Sequence, residues 1–266
     1  MKKLLLPVLL SALSFNAMAQ APEADDPSSQ QGPPRWGLGF GAMVADSPYV
    51  GEGTRVVPIP LVSFHGEKFS MQGLTAGWKL FGNDSFELSA IAKLRLDAFK
   101  VSDLGRAELA ANGVDYRLLE DRDNGIDLGL GAKWSGAAGE IEAEILADVV
   151  DASGGQEISV KYGYPFEVGK GRLTPGVGVT WLSKDMANYY FGTLDKEIAR
   201  GVVDYKPGSV TIPQIGVSYF RPVGEKWSVV GFLEYRFLPS GITDSPLLDP
   251  AADGMASMFI GLSRGF

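Results

Sequence analysis

From Arg35 onward the chain alternates apolar residues with polar or small ones. Trp36, Leu38, Phe40, Ala42 and Val44 share one parity, with Gly37, Gly39, Gly41 and Met43 between them. Phe86, Leu88, Ala90, Ala92, Leu94 and Leu96 oppose Glu87, Ser89, Lys93 and Arg95, with Ile91 the exception. The alternation returns over Ile126–Trp134, Ile141–Val149, Ile158–Tyr164, Val177–Trp181, Ile215–Tyr219 and Trp227–Phe237, although Val230 and Phe232 dilute the second face of the last run. Successive side chains of a strand point to opposite faces, so each run predicts a half-apolar strand. The longer runs, at about 9–12 residues, exceed the usual ~5–6 and match the ~9–11 with which a tilted strand crosses a bilayer. Arg55–Phe64, Phe69–Phe81, Asn188–Thr193 and Met255–Phe266 are less regular candidates. In Phe69–Phe81 the apolar parity switches after Met71, which suggests a bulge. The count comes to about 12 strands, with 10 as the smaller alternative.

Periodicity does not say which face looks outward, but the start of the chain bears on it. Met1-Lys2-Lys3 is a basic n-region, Leu4 to Leu13 a short apolar run, and Asn16 to Ala19 ends in an Ala-x-Ala cleavage pattern. Residues 1–19 therefore read as a secretory signal peptide, too short to span a membrane. Residues 20–34, with four prolines and no apolar periodicity, read as a disordered leader, which leaves 35–266 as the folded domain. In an exported chain whose polar face carries charges, the strands predict an all-β, antiparallel transmembrane barrel with its apolar face outward. Aromatics near strand ends (Trp36, Trp78, Trp134, Tyr164, Trp181, Tyr219, Trp227, Phe237) fit an interfacial girdle. Phe266 ends the last strand on the parity of Met258, Ile260 and Leu262, as an outer-membrane assembly signal does, with Arg264 a departure from that pattern.

The 34 glycines in 266 residues are about twice the usual share, and a crowded barrel interior accounts for them. The net charge is −8, or −10 once the signal peptide takes Lys2 and Lys3 away, which argues against nucleic acid as a partner. With no cysteine and one histidine, thiol chemistry, Cys-ligated metals and multi-histidine sites are excluded. No cofactor motif is present, since Gly37–Gly41 lies within a strand, and the Asp-rich stretches lack calcium-loop spacing.

Turns at Gly82–Asp84, Ser135–Gly139, Val168–Gly171 and Val223–Lys226 alternate with long connections over Asp97–Gly125, Ser183–Gly208 and Pro239–Gly254. In the first of these, Arg106–Asn112 predicts one or two helical turns. Ser47-Pro48-Tyr49-Val50-Gly51, Pro58-Ile59-Pro60, Asn188-Tyr189-Tyr190-Phe191-Gly192, Tyr205-Lys206-Pro207-Gly208 and Asp244-Ser245-Pro246 follow in this order. In them the chain resembles the MipA/OmpV family of MltA-interacting proteins from Gram-negative outer membranes. Phe191 stands where that family commonly has a third tyrosine. The resemblance implies a barrel without enzymatic activity that acts as a scaffold for a lytic transglycosylase and a murein synthase. The outward apolar face and the terminal Phe266 make outer-membrane lipid and the barrel-assembly machinery the expected partners of the barrel itself.

Three sets of residues carry the functional expectations. Tyr49, Gly51, Tyr189, Tyr190, Phe191 and Gly192 are candidates for a docking patch, exposed aromatics being interface anchors, or for part of the girdle. Arg95, Lys133, Glu140, Glu142, Glu144, Lys161 and Arg236 share the polar face and predict a lumen network of paired charges. The same face motivates the alternative, a small-solute channel. A third reading, an outer-membrane hydrolase, must use His65, which lacks serine and acid companions at a diagnostic spacing.

Overall fold

The computed structural model describes residues 34–266; the expected signal peptide and the leader up to residue 33 lie outside them. Thirteen strands form one antiparallel sheet: β1 (Trp36–Asp46), β2 (Thr54–His65), β3 (Phe69–Gln72), β4 (Thr75–Gly82), β5 (Phe86–Arg95), β6 (Gly125–Gly136), β7 (Gly139–Asp148), β8 (Gln156–Gly163), β9 (Phe166–Val168), β10 (Gly171–Leu182), β11 (Val210–Val223), β12 (Trp227–Phe237) and β13 (Gly254–Gly265). Each pairs with its sequence neighbour, and β13 pairs with β1 from Gly37↔Gly265 to Ala45↔Ser257, which closes the sheet. The short β9 prolongs the line of β8 past Tyr164 and Pro165 and pairs with the foot of β10, so the wall has 12 positions. Closure joins the first and last strands, while β2 meets the short β3 only over Ser63–His65, so its outer stretch from Thr54 to Leu61 has, among the described residues, a ladder partner on the β1 side alone.

The alternation sorts the side chains as the pattern predicts. Leu38, Phe40, Leu128, Ile145, Val177, Leu233 and Ile260 face out and are exposed, whereas Met43, Lys93, Asp127, Lys161 and Glu234 face in and are buried. Val230 and Phe232 belong inside. Phe232 packs on Phe259, with ring centroids 5.6 Å apart, in a buried cluster with Met43, Val57 and Ile59. The lumen therefore has an apolar side on β1, β2, β12 and β13 and a charged side centred on β5 to β8. Glycine makes room for this filling: a Cβ on Gly41 would strike the Phe259 ring, and one on Gly129 would strike the Ile145 carbonyl oxygen.

Two expectations about elements are corrected. The parity switch in Phe69–Phe81 is a turn at Gly73 (φ 57°) between β3 and β4, and the bulge lies further on, between Lys79 and Phe81. Asn188–Thr193 is not a strand. It lies in and just after α2 (Lys184–Phe191), which starts where the Ser183 hydroxyl accepts from the Met186 amide. The expected turns in Arg106–Asn112 are α1 (Arg106–Ala111), and α3 (Asp195–Ala199) and α4 (Ser240–Thr243) lie in the other long loops.

All the long connections emerge at one end of the barrel, together with the 47–53 loop and the 149–155 loop. The turns 66–68, 83–85, 137–138, 169–170 and 224–226, the start of β1 and the end of β13 lie at the other, whereas the turn at Gly73 points towards the loop end. By the rule for such barrels, the turn end faces the periplasm and the loop end the exterior. Exposed aromatics crowd the periplasmic end, among them Trp36, Trp78, Trp134, Tyr164 and Phe266. There Arg264 lays its guanidinium 5.8 Å from the Trp227 ring and 5.1 Å from that of Phe266, which explains how this position tolerates a charge.

Candidate functional site: a capped and charged lumen

The outer loops do not wave freely; they pack into a cap with its own apolar core. Tyr49, Phe99, Leu109, Met186, Tyr190, Phe191 and Leu248 are all buried in it. The backbone stitches loops far apart in sequence: Tyr49 bridges to Leu248, the Val50 amide donates to the Leu247 carbonyl (3.1 Å) and the Gly105 amide to the Val50 carbonyl (2.9 Å). Asn112 donates from Nδ2 to the carbonyls of Pro246 and Leu248, both at 3.0 Å. The Tyr49 hydroxyl donates to the Tyr190 carbonyl at 2.9 Å. Gly51, at φ 73°, lies so close to Gly105 that a Cβ there would overlap its backbone.

Four of the five motifs quoted above converge in this cap, whereas Pro58-Ile59-Pro60 lies in β2, with Ile59 in the apolar cluster of the lumen. The Gly208 amide donates to Asn188 Oδ1 (3.0 Å), the Thr193 amide to the Tyr205 carbonyl (3.0 Å) and the Tyr205 hydroxyl to the Gly241 carbonyl (3.1 Å). This corrects the expectation of an exposed patch. Tyr49, Tyr190 and Phe191 are 2%, 2% and 5% exposed, so they offer no anchor to a partner. Nor do they form a girdle, since Met186, Ala187, Tyr190 and Phe191 are one helical face turned into the cap. Burial raises the phenol of Tyr49, and likewise that of Tyr190, above its ordinary range, with nearby Asp97 adding to the effect.

One ion pair holds the cap together. Arg122 and Glu197, both fully buried, join the β5–β6 loop to the β10–β11 loop. Arg122 Nη1 donates to Glu197 Oε1 (2.8 Å) and Nη2 to Oε2 (3.0 Å). Its remaining donors reach the carbonyls of Tyr189 (2.6 Å), Glu120 (2.7 Å) and Gly192 (3.2 Å). The amides of Glu120 and Leu194 each donate to the Glu197 carboxylate at 2.7 Å. The sequence reading missed this pair, because nothing local links positions 75 residues apart.

Below the cap, charged side chains line one side of the lumen. Arg95 contacts Asp97 (2.8 Å), Asp127 (2.7 Å) and Glu157 (2.8 Å). Lys93 lies 3.6 Å from Glu144, and Lys161 lies 3.7 Å from Glu234, to which Arg236 donates at 2.8 Å. Towards the periplasm Lys133 lies 3.6 Å from Glu140 and 3.9 Å from Glu142, and Arg172 lies 3.8 Å from Glu140. Each of the seven expected lumen residues lies in this column. Lys93, Asp97, Asp127, Glu157, Arg172 and Glu234 also belong to it, and their inward parity was a signal for all but Asp97, which follows the end of β5. His65 is elsewhere, opposite Ser70 at the periplasmic end of β2. Phe266 donates its amide to the Trp36 carbonyl (2.8 Å) at that same end.

A closed 12-position antiparallel wall, apolar outside and charged within, defines an outer-membrane β-barrel. Residues 38–266 match the family described as "MltA-interacting protein MipA", and the chain belongs to that family. It is 30% identical to the MltA-interacting protein of Escherichia coli K12, over 84% of this chain and 88% of that one. It is 24% identical to outer membrane protein OmpV of Vibrio cholerae, over 94% and 95%. Among solved structures, the COG4313 outer membrane channel from Pseudomonas putida F1 is similar at 12% identity, covering 92% of this chain and 100% of that one, with a TM-score of 0.42.

Proposed function

We propose that this barrel is a non-enzymatic scaffold for murein remodelling, which holds a lytic transglycosylase and a murein synthase at the inner face of the outer membrane. The observation that carries this reading is the family match across residues 38–266, to a family described by its interaction with MltA. The cap supports it from another side. Its buried ion pair and stitched loops hold the outer connections together as one packed unit, which favours a barrel with a fixed outer end over a freely open pore. The cap also puts Tyr49, Gly51 and Tyr189–Gly192 on the exterior, whereas murein lies in the periplasm. Docking therefore falls to the periplasmic turns, such as 66–68, 82–85, 135–139 and 224–226. Phe266, on the same rim, is where the barrel-assembly machinery would engage the chain.

The test is a cross-linked pull-down from solubilised envelopes with partners identified by mass spectrometry. Enrichment of a lytic transglycosylase and a murein synthase, reduced by substitutions in the periplasmic turns, is expected. Their absence from pull-downs of an intact barrel would overturn the reading. The second reading, a small-solute channel, rests on the charged column, and planar-bilayer recording separates the two. A scaffold with a shut cap gives little steady conductance, and a stable open pore would favour the channel.

A further inference from the structure

The lumen directly beneath the cap holds more acid than base. The single guanidinium of Arg95 serves three carboxylates, those of Asp97, Asp127 and Glu157. Lys93 lies between Glu144 and Glu157, and Glu234 between Lys161 and Arg236. The five carboxylates of Asp97, Asp127, Glu144, Glu157 and Glu234 thus stand against the four cations Arg95, Lys93, Lys161 and Arg236, a surplus of one negative charge. Arg95 takes only the Oδ2 atom of each aspartate. Asp97 Oδ1 and Asp127 Oδ1 are buried and meet no hydrogen-bond partner among the described residues.

A third oxygen reaches the same place from another element. Tyr190, 2% exposed, descends from α2, and its hydroxyl likewise meets no partner among the described residues. It reaches the cross-strand pair Arg95–Gly125: a Cβ on Gly125 would stand 3.8 Å from this hydroxyl and 3.6 Å from Arg95 Cβ. Asp97 and Arg95 are the charges that act on it most strongly, and Asp127 acts on it as well. Buried polar atoms in folded proteins nearly always find a partner, and three oxygens beside surplus negative charge call for a positively charged donor. A divalent metal is a poor match. It wants about six or more oxygens, and among the described residues no group of three or more His, Cys, Asp or Glu has the geometry to hold one.

We propose that Asp97, Asp127 and Tyr190 form a site for a small monovalent cation beneath the cap, best fitted by an ammonium ion. Its N–H groups donate to Asp97 Oδ1, Asp127 Oδ1 and the Tyr190 hydroxyl, and its charge offsets that surplus. The cap keeps it in place, since Tyr190 belongs both to the site and to the cap core.

The test is thermal unfolding of the full barrel in detergent, followed by tryptophan fluorescence in ammonium, potassium or tetramethylammonium chloride at equal ionic strength. Tetramethylammonium has the charge but no N–H donor. At ten times the dissociation constant, ammonium should raise the midpoint by about 3–6 °C over tetramethylammonium. Tyr190→Phe keeps the ring and removes one of the three oxygens. It should leave the midpoint in tetramethylammonium unchanged or higher, because it deletes an unpaired buried hydroxyl, and should lose most of the gain in ammonium. Asp97→Asn should lose that gain too. A gain in potassium equal to that in ammonium would still support a cation site, one selected by size, since tetramethylammonium carries the same charge. The proposal fails if all three salts give one midpoint, if Tyr190→Phe gains as much as the native chain, or if the midpoint follows pH alone. In that last case protons would carry the surplus charge.

Discussion

Removing either partner of the Arg122–Glu197 pair should open the cap without dissolving the barrel. The two removals should differ in size. In Arg122→Met the Glu197 carboxylate keeps the amide donors of Glu120 and Leu194, both at 2.7 Å, so its charge stays partly stabilised. In Glu197→Leu a guanidinium remains buried with only the carbonyls of Tyr189, Glu120 and Gly192 to receive it, and the two amides lose their acceptor. Breaking a buried pair costs about 3–5 kcal/mol, so Arg122→Met belongs near the lower end and Glu197→Leu near the upper. At about 1.4 kcal/mol per tenfold, the open fraction of the cap rises roughly a hundredfold in the first and a few thousandfold in the second. Limited proteolysis of barrels in liposomes reads this directly, as faster cleavage within 97–124 and 183–209 while the heat-modifiable gel mobility of the barrel persists. The double variant Arg122→Met/Glu197→Leu leaves no lone charge and should recover much of the protection. Cleavage at the native rate in both single variants would refute the claim that this pair holds the cap shut.

Three further outcomes follow from the geometry. Gly129→Ala forces a Cβ onto the Ile145 carbonyl and should lower the unfolding midpoint, at a cost of about 1–3 kcal/mol. Gly131→Ala, whose nearest neighbours are the Ile91 side-chain carbons at 3.4 and 3.5 Å, should be nearly neutral, and equal midpoints for the two would contradict the packing described. Phe259→Ala empties the apolar side of the lumen and should destabilise the barrel by about 3–5 kcal/mol, measured by denaturant unfolding in detergent. Alkali should loosen the cap first. Tyr49 and Tyr190 titrate higher when buried than the ordinary 10.0, so the closed cap holds protons that the open one releases. The stability they contribute is complete below about pH 10 and falls as pH rises beyond it, by up to about 1.4 kcal/mol per unit for each tyrosine. Protease protection of the cap that is the same at pH 9 and pH 11 would contradict this.

Much of the wall was legible because period-two alternation is local: Leu128, Leu130 and Trp134 announce their face by their spacing alone. The lumen charges were legible by the same parity. The cap was not. Its elements are one or two turns long, and they are held by contacts such as Tyr49 to Leu248 and Arg122 to Glu197, which no window along the chain displays. A helical signal did exist in α2, where Met186, Ala187, Tyr190 and Phe191 recur at helical spacing behind Ser183, but three adjacent aromatics read as strand. The turn at Gly73 was mistaken for a bulge, since both reverse parity and only pairing distinguishes them.

The seam between β1 and β13 has a consequence for how the molecule is made. Its partners, from Gly37 with Gly265 to Ala45 with Ser257, are the first and last stretches of the folded chain. Neither can be satisfied until the whole polypeptide has been delivered, so closure is a late, long-range event in folding. Until then two edges stand open, each a template for the wrong neighbour. A chain that stops short of Gly254 is thus not a smaller barrel but an unfinished sheet with a sticky border, and its natural fate is aggregation or proteolysis rather than reduced activity.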